Sequence, residues 1–415
     1  MMVETTNVPK LRFKEFKDAW QTPTFGTVFE RVTTKNKENN QNILTISAQD
    51  GLIGQDKFFT KLVSAKDVTG YYLLRKNDFA YNKSYSKGYP MGAIKRLFKD
   101  NAGVVSTLYI CFRSKEPRSI IFYEQYFDAG KLNIEIEKIA QEGARNHGLL
   151  NMSVVDFFKM SILRPNITEQ EKIAGFLGSV DEKIGKLEEK KKQFEKYKKG
   201  VMQAIFSQKI RFKDKTGMEF PDWEEKELGE IGKTYNGLTG KSAEDFGKGF
   251  PYITYKQIFD GSNVDVSKCS FVNIKENEAQ SKAKKGDVFF TTSSETPLEV
   301  GFSSVLLEDV EDVYLNSFCF GFRLFDNKKT LPYFLKFLFR SEYFRRKTIR
   351  LAQGSTRYNI SKIGLLKTII QIPDSEEQGK IAEFLTSLDD KIDLINKELG
   401  KVKEFKKALL QQMFV

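Results

Sequence analysis

Apolar residues recur along one segment of the chain at alternating steps of four and three, and the same spacing returns in a second segment. The first set is Ile173, Leu177, Val180, Ile184 and Leu187, and the second set is Ile381, Leu385, Leu388, Ile392 and Ile395. Such spacing is typical of a helix whose apolar seam pairs with another helix. Roughly 40 residues at about 1.5 Å each form a rod of roughly 60 Å, too long for one small domain to cover. The pattern therefore predicts two long helices that form a coiled coil.

The two apolar sets belong to a segment that the chain contains twice. EQEKIAGFLGSVDEKIGKL at 169–187 aligns without a gap to EQGKIAEFLTSLDDKIDLI at 377–395, a shift of 208 residues. A second match, KLRF against KIRF, marks the start of each copy at residues 10 and 209. The order is therefore domain, helix, domain, helix. The predicted bounds are 1–167, 168–208, 209–374 and 375–415.

The chain order constrains how the two helices pair. The first helix ends where the second domain begins, so a second helix that pairs with it has to run back toward the first domain. This predicts an antiparallel pair with one head at each end and an approximate two-fold axis. Lys191, Lys198 and Lys406 stand where the seam pattern would place apolar residues, and they would limit the register of the pair. The alternative is two independent amphipathic helices, each lying on its own domain.

The two heads repeat more loosely than the helices. Every second residue is apolar from 108 to 112 and from 318 to 322, which predicts a half-buried strand in each head. Aromatic-rich stretches at 120–140 and 331–352 follow and predict helices, with Pro332 in the first turn of the second. The predicted fold is therefore α/β or α+β heads, duplicated and separated by two long helices that form an antiparallel coiled coil, with internal pseudo-two-fold symmetry.

Composition favours a basic, two-domain protein. The chain has 415 residues, 40% of them hydrophobic, and a formal net charge of +12. Each half is long enough to bury a core, and the positive charge favours a polyanionic partner. Cys111 and Cys319 lie in apolar runs and Cys269 is far from both, so no disulfide framework or zinc site is expected. No apolar run reaches the roughly 18 residues of a membrane helix and the start is not a secretion signal, so we expect a cytoplasmic protein.

The sequence contains no recognisable catalytic or cofactor motif. GLTGKS at 237–242 ends like a phosphate-binding loop, but Tyr235 stands where that motif needs a glycine. No GxGxxG follows a strand. The amino-methyltransferase signature requires two adjacent prolines, and the sequence has none. The one histidine, His147, cannot build a metal site with these scattered cysteines, and nothing else in the sequence supports a Ser/His/Asp triad that includes it. The sequence therefore offers no catalytic constellation and no metal or cofactor site.

The duplicated segment closely resembles the specificity subunits of type I restriction-modification enzymes, and the resemblance extends over essentially the whole chain. Its strongest markers are Glu169, Gln170, Lys172, Ile173, Ala174, Phe176 and Leu177, with counterparts Glu377, Gln378, Lys380, Ile381, Ala382, Phe384 and Leu385. Asn77-Asp78 and Gly286-Asp287, each entering a predicted strand, are similar to the family's target-recognition domains. Asn77 replaces the usual glycine, which a left-handed turn would tolerate.

The resemblance implies a non-catalytic subunit in the cytoplasm of a bacterium or archaeon. Its two heads would be target-recognition domains that each read one half of a split double-stranded DNA target, and the helices would set the spacer. Two modification subunits would supply S-adenosylmethionine and adenine methylation, which requires base flipping. Restriction subunits would add translocation and cleavage driven by ATP and Mg.

Sequence readout needs loop side chains that reach base edges, and lysines and arginines that hold phosphates. The candidates in the first head are Lys35, Lys37, Asn39, Lys83, Ser84, Tyr85, Lys87, Arg145 and Asn146. The candidates in the second head are Lys241, Lys256, Thr291, Thr292, Ser293, Thr356, Arg357 and Tyr358. Two alternatives stay open: an enzyme, either a nuclease or a fused methyltransferase subunit, and a coiled-coil scaffold that binds only protein.

Overall fold

The structure, a computed structural model, describes residues 8–58, 67–142 and 150–415. The chain divides into two compact units, one formed by Met1–Glu188 with Lys397–Val415 and the other by Glu189–Asn396. Each unit contains one head and one part of each long helix. Among the helices of the described residues, none combines the length and the apolar character that crossing a bilayer requires.

The first head is built on a four-stranded antiparallel sheet with the strand order β1-β8-β5-β6. Two strand pairs, β2 with β3 and β4 with β7, accompany it. The elements of this unit are α1 (Phe25–Val28), β1 (Phe29–Arg31), β2 (Leu44–Ser47), β3 (Gly51–Gly54), α2 (Gln55–Phe58), β4 (Tyr72–Arg75), β5 (Phe79–Asn82), β6 (Ala93–Arg96), β7 (Ala102–Val105), β8 (Ile110–Ser114), α3 (Ile120–Asp128), α4 (Asn133–Ile139), β9 (Gln141–Glu142), β10 (Leu150–Asn151), α5 (Val154–Lys159) and the start of α6 (Ile167–Phe206).

The second head repeats this design, with an antiparallel sheet of the order β12-β19-β15-β17. The elements after α6 are β11 (Glu224–Glu227), α7 (Leu228–Ile231), β12 (Gly232–Asn236), β13 (Phe246–Ile253), α8 (Tyr255–Asp260), β14 (Ser270–Val272), β15 (Val288–Thr291), β16 (Ser293–Ser294), β17 (Ser303–Val305), β18 (Tyr314–Leu315), β19 (Cys319–Leu324), α9 (Pro332–Leu338), α10 (Glu342–Arg350), β20 (Tyr358–Asn359), α11 (Lys362–Leu366), β21 (Ile369–Ile372) and α12 (Ser375–Met413). The predicted duplicated fold of α/β heads is confirmed.

The predicted alternating strands exist, but they begin later and are buried on both faces. Ile110 and Phe112 are buried in one apolar cluster, and Cys111, on the opposite face of β8, is buried in another. Leu108 lies in the turn before β8 and is 74% exposed, and its counterpart Phe318 is 59% exposed. The prediction of a half-buried strand was therefore wrong, because further elements cover the second face of the sheet.

The aromatic-rich stretches form two short helices each, rather than one. In the first head α3 ends before Gly130, whose φ of 69° lies in the left-handed region that interrupts a helix. In the second head the Ser341 side chain accepts a hydrogen bond from the backbone N–H of Phe344 and so caps the start of α10. Pro332 occupies the first helical position of α9, as predicted.

Buried aromatic rings form the cores of the heads. In the first head Phe25 stacks on Phe29 with ring centroids 4.4 Å apart. Phe79 stacks on Phe112 across β5 and β8, with centroids 5.5 Å apart. In the second head Phe290 stacks in the same way on the ring opposite it in β19. Each fully buried ring stabilises the fold by roughly 1.5–3 kcal/mol, so the sheets are rigid supports for the loops.

The long helices run antiparallel within each unit. In the first unit Asp181 of α6 pairs with Lys406 of α12, and Glu188, further along α6, pairs with Lys403, which comes earlier in α12. The end of α12 enters the core of the first head, where Phe414 lies 6.3 Å from Trp20 between ring centroids. The antiparallel pair is therefore confirmed. The alternative in which each helix lies only on its own domain is wrong.

The same arrangement occurs in the second unit with the roles of the helices exchanged. Ile205 and Phe206, at the end of α6, share an apolar cluster with Ile381 and Leu385, near the start of α12. Phe206 lies 6.5 Å from Trp223 between ring centroids, as Phe414 does from the other tryptophan. Each head is thus held by the start of one long helix and the end of the other.

Candidate nucleic-acid interface

The first residues of the duplicated motif fasten α6 to the first head. Glu169 is fully buried, and its carboxylate accepts hydrogen bonds from Arg12 at 2.7 Å (Nε) and 2.8 Å (Nη2). The Trp20 indole N–H donates to the same carboxylate at 3.4 Å. The hydrogen bond to Glu169 raises the pKa of the Arg12 guanidinium. A buried carboxylate is tolerated only with such partners, so this glutamate has a structural role.

The second unit repeats this contact residue by residue. Glu377 is also fully buried and accepts from Arg211 Nη2 at 2.7 Å and from the Trp223 indole N–H at 3.1 Å. The two arginines that serve the two glutamates are those of the KLRF and KIRF tetrapeptides. The sequence match at the start of each copy therefore reflects the docking of each long helix on its head.

The glutamine that follows each glutamate closes the turn into the long helix. The side-chain amide of Gln170 donates to the Pro165 carbonyl at 2.8 Å, and that of Gln378 donates to the Pro373 carbonyl at 2.9 Å. Both glutamines are buried. The most strongly repeated polar residues of the chain are thus part of the scaffold, and the interface has to be sought elsewhere.

A polar contact ties the first head to both long helices. The carboxylate of Asp181 on α6 accepts from Lys406 of α12 at 2.6 Å. It also accepts from the amide of Gln125 on α3 at 2.8 Å. The predicted lysine near the seam therefore has a partner of opposite charge on the other helix, which disfavours other registers.

The second unit has the equivalent contact at the shift of 208 residues. Asp389 of α12 forms an ion pair with Lys198 of α6, and Lys336 of α9 donates to the same carboxylate at 3.2 Å. Among the described residues, Lys191 by contrast pairs only with Glu195 of its own helix. Two of the three predicted seam lysines therefore connect the helices, and the third does not.

The aspartates that enter the central strands are also structural. Asp78 is fully buried, and Arg113 donates to both of its oxygens at 2.6 and 2.9 Å. Asn77 has a φ of 76°, the left-handed turn that was expected to tolerate asparagine in place of glycine. Asp287 and Arg323 form the same pair in the second head. These contacts fix the turn that precedes each central strand.

One candidate loop of the first head follows β5 directly. It holds four of the predicted residues, Lys83, Ser84, Tyr85 and Lys87. The ring of Tyr85 is 63% exposed, and the carbonyl of Lys83 accepts from the backbone N–H of Leu150 at 3.0 Å. This places the loop beside β10. The candidates Arg145 and Asn146, with His147, lie outside the described residues.

The other first-head loop presents its side chains to solvent. The ammonium group of Lys35 donates to the Gly70 carbonyl at 2.7 Å and lies 4.5 Å from the centroid of the Tyr72 ring. Lys37 and Asn39 are exposed. These positions suit phosphate contacts, and their role in DNA binding stays a prediction.

Two second-head candidates are held inside their unit. Thr291 is fully buried, and its hydroxyl accepts from the backbone N–H of Phe302 at 3.0 Å. The ammonium group of Lys241 is almost entirely buried, where it donates to the Asn273 carbonyl at 2.6 Å and pairs with Glu278. Both side chains are used to hold loops, so neither is carried into the proposed interface. Their pattern in the sequence gave no sign of burial.

The structure brings together the two remaining candidate loops of the second head. Strand β16, which begins at Ser293, pairs antiparallel with β20, which begins at Tyr358. The neighbouring Thr356 is exposed and Thr292 is half-buried. Lys256 is exposed on α8 and pairs with Asp260 at 2.6 Å.

A cleft of about 480 Å³ lies where these loops meet, and we call it the second-head cleft. It is lined by Tyr255, Phe259, Ser293, Ser294, Glu295, Glu299, Phe318 and Arg357. Sequence reasoning found Ser293 and Arg357 but missed the aromatic residues and both glutamates. Phe318 could have been found only from its exposure, since its spacing placed it in a strand.

The cleft combines fixed walls with free charged groups. The Tyr255 hydroxyl donates to the Ser293 carbonyl at 2.7 Å, and burial raises its pKa. The carboxylate of Glu299 accepts from the Ser294 hydroxyl at 3.1 Å. Within the described residues, the side chain of Glu295 forms no hydrogen bond or ion pair, and neither does the guanidinium of Arg357, which also lines the cleft. One acceptor and one cation are therefore available to a ligand.

Solved structures share this fold along the whole chain. The crystal structure of a type I restriction-modification S subunit from M. genitalium covers 98% of this chain and 99% of its own, with a TM-score of 0.55 and 17% sequence identity. A chain from a structure titled for complex assembly and conformational transition of the type I R-M system gives a TM-score of 0.56 at 17% identity, and covers 95% of this chain and 97% of its own. The chain thus has the fold of a type I specificity subunit.

Sequence comparisons point to the same class. Residues 221–404 match the family model described as "Type I restriction modification DNA specificity domain". The MjaVIII specificity subunit of Methanocaldococcus jannaschii is 24% identical over 289 residues, which are 66% of this chain and 66% of that protein. The HindI specificity subunit of Haemophilus influenzae is 29% identical over 201 residues, 47% of this chain and 41% of that protein.

The match therefore spans slightly less than two thirds of the archaeal relative and under half of the bacterial one. Both relatives are named as specificity subunits of type I restriction enzymes. The predicted resemblance to that subunit class is confirmed.

Proposed function

We propose that the chain is the non-catalytic DNA sequence-recognition subunit of a type I restriction-modification complex. Each head reads one half of a bipartite target, and the paired helices set the spacer between the halves. The observation that carries this proposal is the repeated ion pair between α6 and α12. It fixes the same antiparallel register in both units, through Asp181 and Lys406 in one and Asp389 and Lys198 in the other.

A fixed register suits a spacer, because a pair of helices that cannot slide past each other keeps a constant overall length. The heads share a scaffold but differ in their loops, as two readers of different sequences would. The net charge of +12 supports a DNA partner. The names of the relatives and the matched DNA specificity domain support the same role.

Catalysis belongs to partner subunits in this proposal. Two modification subunits bind S-adenosylmethionine and methylate adenine, and restriction subunits use ATP and Mg for translocation and cleavage. The chain directs both activities to its target. The residues proposed to contact DNA are Lys35, Lys37, Asn39, Lys83, Ser84, Tyr85, Lys87, Arg145 and Asn146 in the first head, and Lys256, Thr292, Ser293, Thr356, Arg357 and Tyr358 in the second.

The second candidate function is a coiled-coil scaffold that binds protein without reading DNA. The ring of Tyr197 on α6 and that of Phe405 at the equivalent position of α12 are each 53% exposed, which suits a protein partner. Salt-sensitive binding that depends on DNA sequence separates the two functions, because a scaffold has no reason to prefer one sequence.

The test is a map of methylated adenines in DNA from cells that carry the modification subunits with or without this chain. The proposed function expects methylation within a two-part sequence only when the chain is present. Adding four residues to both long helices, roughly 6 Å, is expected to lengthen the spacer and leave both half-sites unchanged. Methylation that is independent of the chain, or half-sites that change with helix length, would contradict the proposal.

A further inference from the structure

Two arginines of the second head, the partly buried Arg340 and the buried Arg345, donate hydrogen bonds to backbone carbonyls instead of carboxylates. The guanidinium of Arg340 donates from Nε to the Ser303 carbonyl at 2.6 Å. Its Nη2 donates to the Ile258 and Phe259 carbonyls at 2.6 and 3.1 Å and also to that of Gly261. Arg340 therefore joins the end of α8 to the start of β17.

Arg345 acts on the loop between β16 and β17. Its guanidinium donates from Nη2 to the Leu298 carbonyl at 2.8 Å and from Nη1 to the Gly301 carbonyl at 2.9 Å. Both arginines lie against the ring of Phe302, at 4.8 and 4.5 Å from its centroid. Burial lowers the pKa of both guanidinium groups to about 10, so both remain cations at neutral pH.

Together the two arginines hold both walls of the second-head cleft. One wall is α8, which carries Tyr255 and Phe259, and the other is the segment that begins at Ser293 and includes Glu295. A buried cation loses its hydration, and only a favourable arrangement of acceptors offsets that cost. Here the acceptors are backbone carbonyls of both walls. The two planar guanidinium groups therefore hold the walls in position.

The free groups of the cleft match the chemistry of one base pair. An arginine pairs with the O6 and N7 acceptors of guanine, and a glutamate accepts from the N4 amino group of cytosine. Arg357 and Glu295 both line the cleft. Within the described residues, neither side chain forms an ion pair, unlike many other charged side chains of this head. A groove with one cation and one carboxylate that are not engaged by other described residues offers both halves of a G·C contact.

We propose that the second-head cleft reads a G·C base pair of the second half-site, with Arg357 donating to guanine and Glu295 accepting from cytosine. Arg340 and Arg345 are positioning residues that fix the two walls of the cleft, one of which carries Glu295. The proposal rests on the proposed function and names the base pair that one head reads.

The experiment compares the methylated motif of the complete complex, formed with its modification subunits, across three versions of this chain. The Arg357→Ala and Glu295→Gln complexes are expected to accept other base pairs at one G·C position of one half-site. The other half-site and the spacer are expected to stay the same. Wild-type motifs from both variants would overturn the cleft proposal and leave the proposed function standing. A wild-type complex that methylates no two-part sequence would overturn both.

A modified base tests the contact itself. Replacing the guanine at that position with 7-deazaguanine removes the N7 acceptor. The wild-type complex is expected to bind this duplex about 10-fold more weakly at fixed salt, and the Arg357→Ala complex is expected to show no further loss. An equal loss in both complexes would overturn the contact between Arg357 and guanine.

Lys285→Ala is the matched control, because it also removes one exposed positive charge from the second head. Lys285 precedes β15, pairs with Asp309 at 2.6 Å and lies at the other end of the strand from the cleft. Its motif and affinity for the modified duplex are expected to equal those of the wild type. A motif change in this control would overturn the proposal, since charge alone would then account for the result.

Arg345→Lys tests the positioning role. The lysine keeps the charge but cannot donate to two carbonyls as the planar guanidinium does. The requirement for the G·C pair is expected to relax at one position while the first half-site stays unchanged. A uniform loss of affinity for all DNA sequences would indicate a merely structural role and overturn this part of the proposal.

Discussion

The two heads share one scaffold and differ in the contacts that connect one strand of the sheet, β6 in the first head and β17 in the second, to the aromatic-rich helices. In the first head the cations lie on β6, where Lys95 pairs with Asp128 of α3 at 2.7 Å and Arg96 pairs with Glu124 at 2.7 Å. In the second head the cation, Arg340, lies just after α9 and donates to a backbone carbonyl of β17. The sequences of α3 and α4 contain no arginine.

This difference has consequences for the neighbouring loops. An ion pair between two side chains connects only the elements that carry them. A guanidinium that donates to several carbonyls also fixes the backbone of the loops around it. In the second head the loops beside the cleft are therefore held through their backbone carbonyls, whereas Lys95 and Arg96 at the corresponding place in the first head pair with side chains. Divergence between the copies has altered the supports of the loops as well as the loops.

The contact that the heads share is expected to give the largest effect. Glu169→Ala and Glu377→Ala each remove a buried carboxylate and leave an arginine without its partner, at a cost of roughly 3–5 kcal/mol in the free energy of unfolding. Denaturant unfolding of the full chain measures both losses. Losses that differ by more than about 2 kcal/mol would mean that the two docking contacts are not equivalent.

The contact that distinguishes the heads comes next. Arg345→Ala leaves the carbonyls of Leu298 and Gly301 without this donor and is expected to cost roughly 2–3 kcal/mol. Proteolysis and hydrogen exchange are expected to show the loss in residues 293–303, with no change in the first head. Equal protection of these residues in the variant and the wild type would show that the arginine does not hold the loop.

The ion pairs between the helices are expected to contribute less. A double-mutant cycle of Lys198→Ala and Asp389→Ala is expected to give a coupling energy of about 1 kcal/mol. The cycle of Lys406→Ala and Asp181→Ala is expected to give a smaller value, because the Asp181 side chain is 38% exposed against 23% for Asp389. A larger coupling in the first unit would contradict this ranking.

The smallest effect is expected at an exposed position. Lys256→Ala should change the free energy of unfolding by no more than about 0.5 kcal/mol, since its side chain is 84% exposed. If Lys256 contacts a phosphate, the slope of log affinity against log salt should fall by about 1. Titrations at several salt concentrations measure this slope, and an unchanged slope would remove Lys256 from the interface.

Periodicity predicted the parts of the fold that depend on local pattern. The seam of the long helices and the burial of Ile110 and Phe112 follow from the spacing of apolar residues, and the start of α9 follows from Pro332. Leu108 and Phe318 did not follow, because the same spacing continues through a turn and only the hydrogen bonds of the sheet show where the strand begins. The two short helices that replace each predicted long one depend on a single residue, such as Gly130, whose backbone conformation a pattern does not report.

The role of the candidate loops in DNA binding stays a prediction, and the structure shows only which of them lie together and which of their residues are exposed. The loop that contains Ser293 and the loop that contains Tyr358 lie side by side, because β16 and β20 pair. Thr291 is the last residue of β15 and Lys241 lies in a loop, and both are buried by partners farther along the chain, which no local pattern reveals. Glu295 was missed for the opposite reason, since an exposed glutamate in a loop looks like any other until the cleft around it is formed.

The position of Phe414 in the core of the first head has a consequence for how the protein folds during its synthesis. The second unit is one continuous stretch, Glu189–Asn396, whereas the first unit needs Lys397–Val415 from the far end of the chain. A ribosome delivers the whole of the second unit before it delivers the residues that complete the first. The first unit therefore cannot complete its native contacts until the last residues have been translated, and until then the apolar site for Phe414 is uncovered.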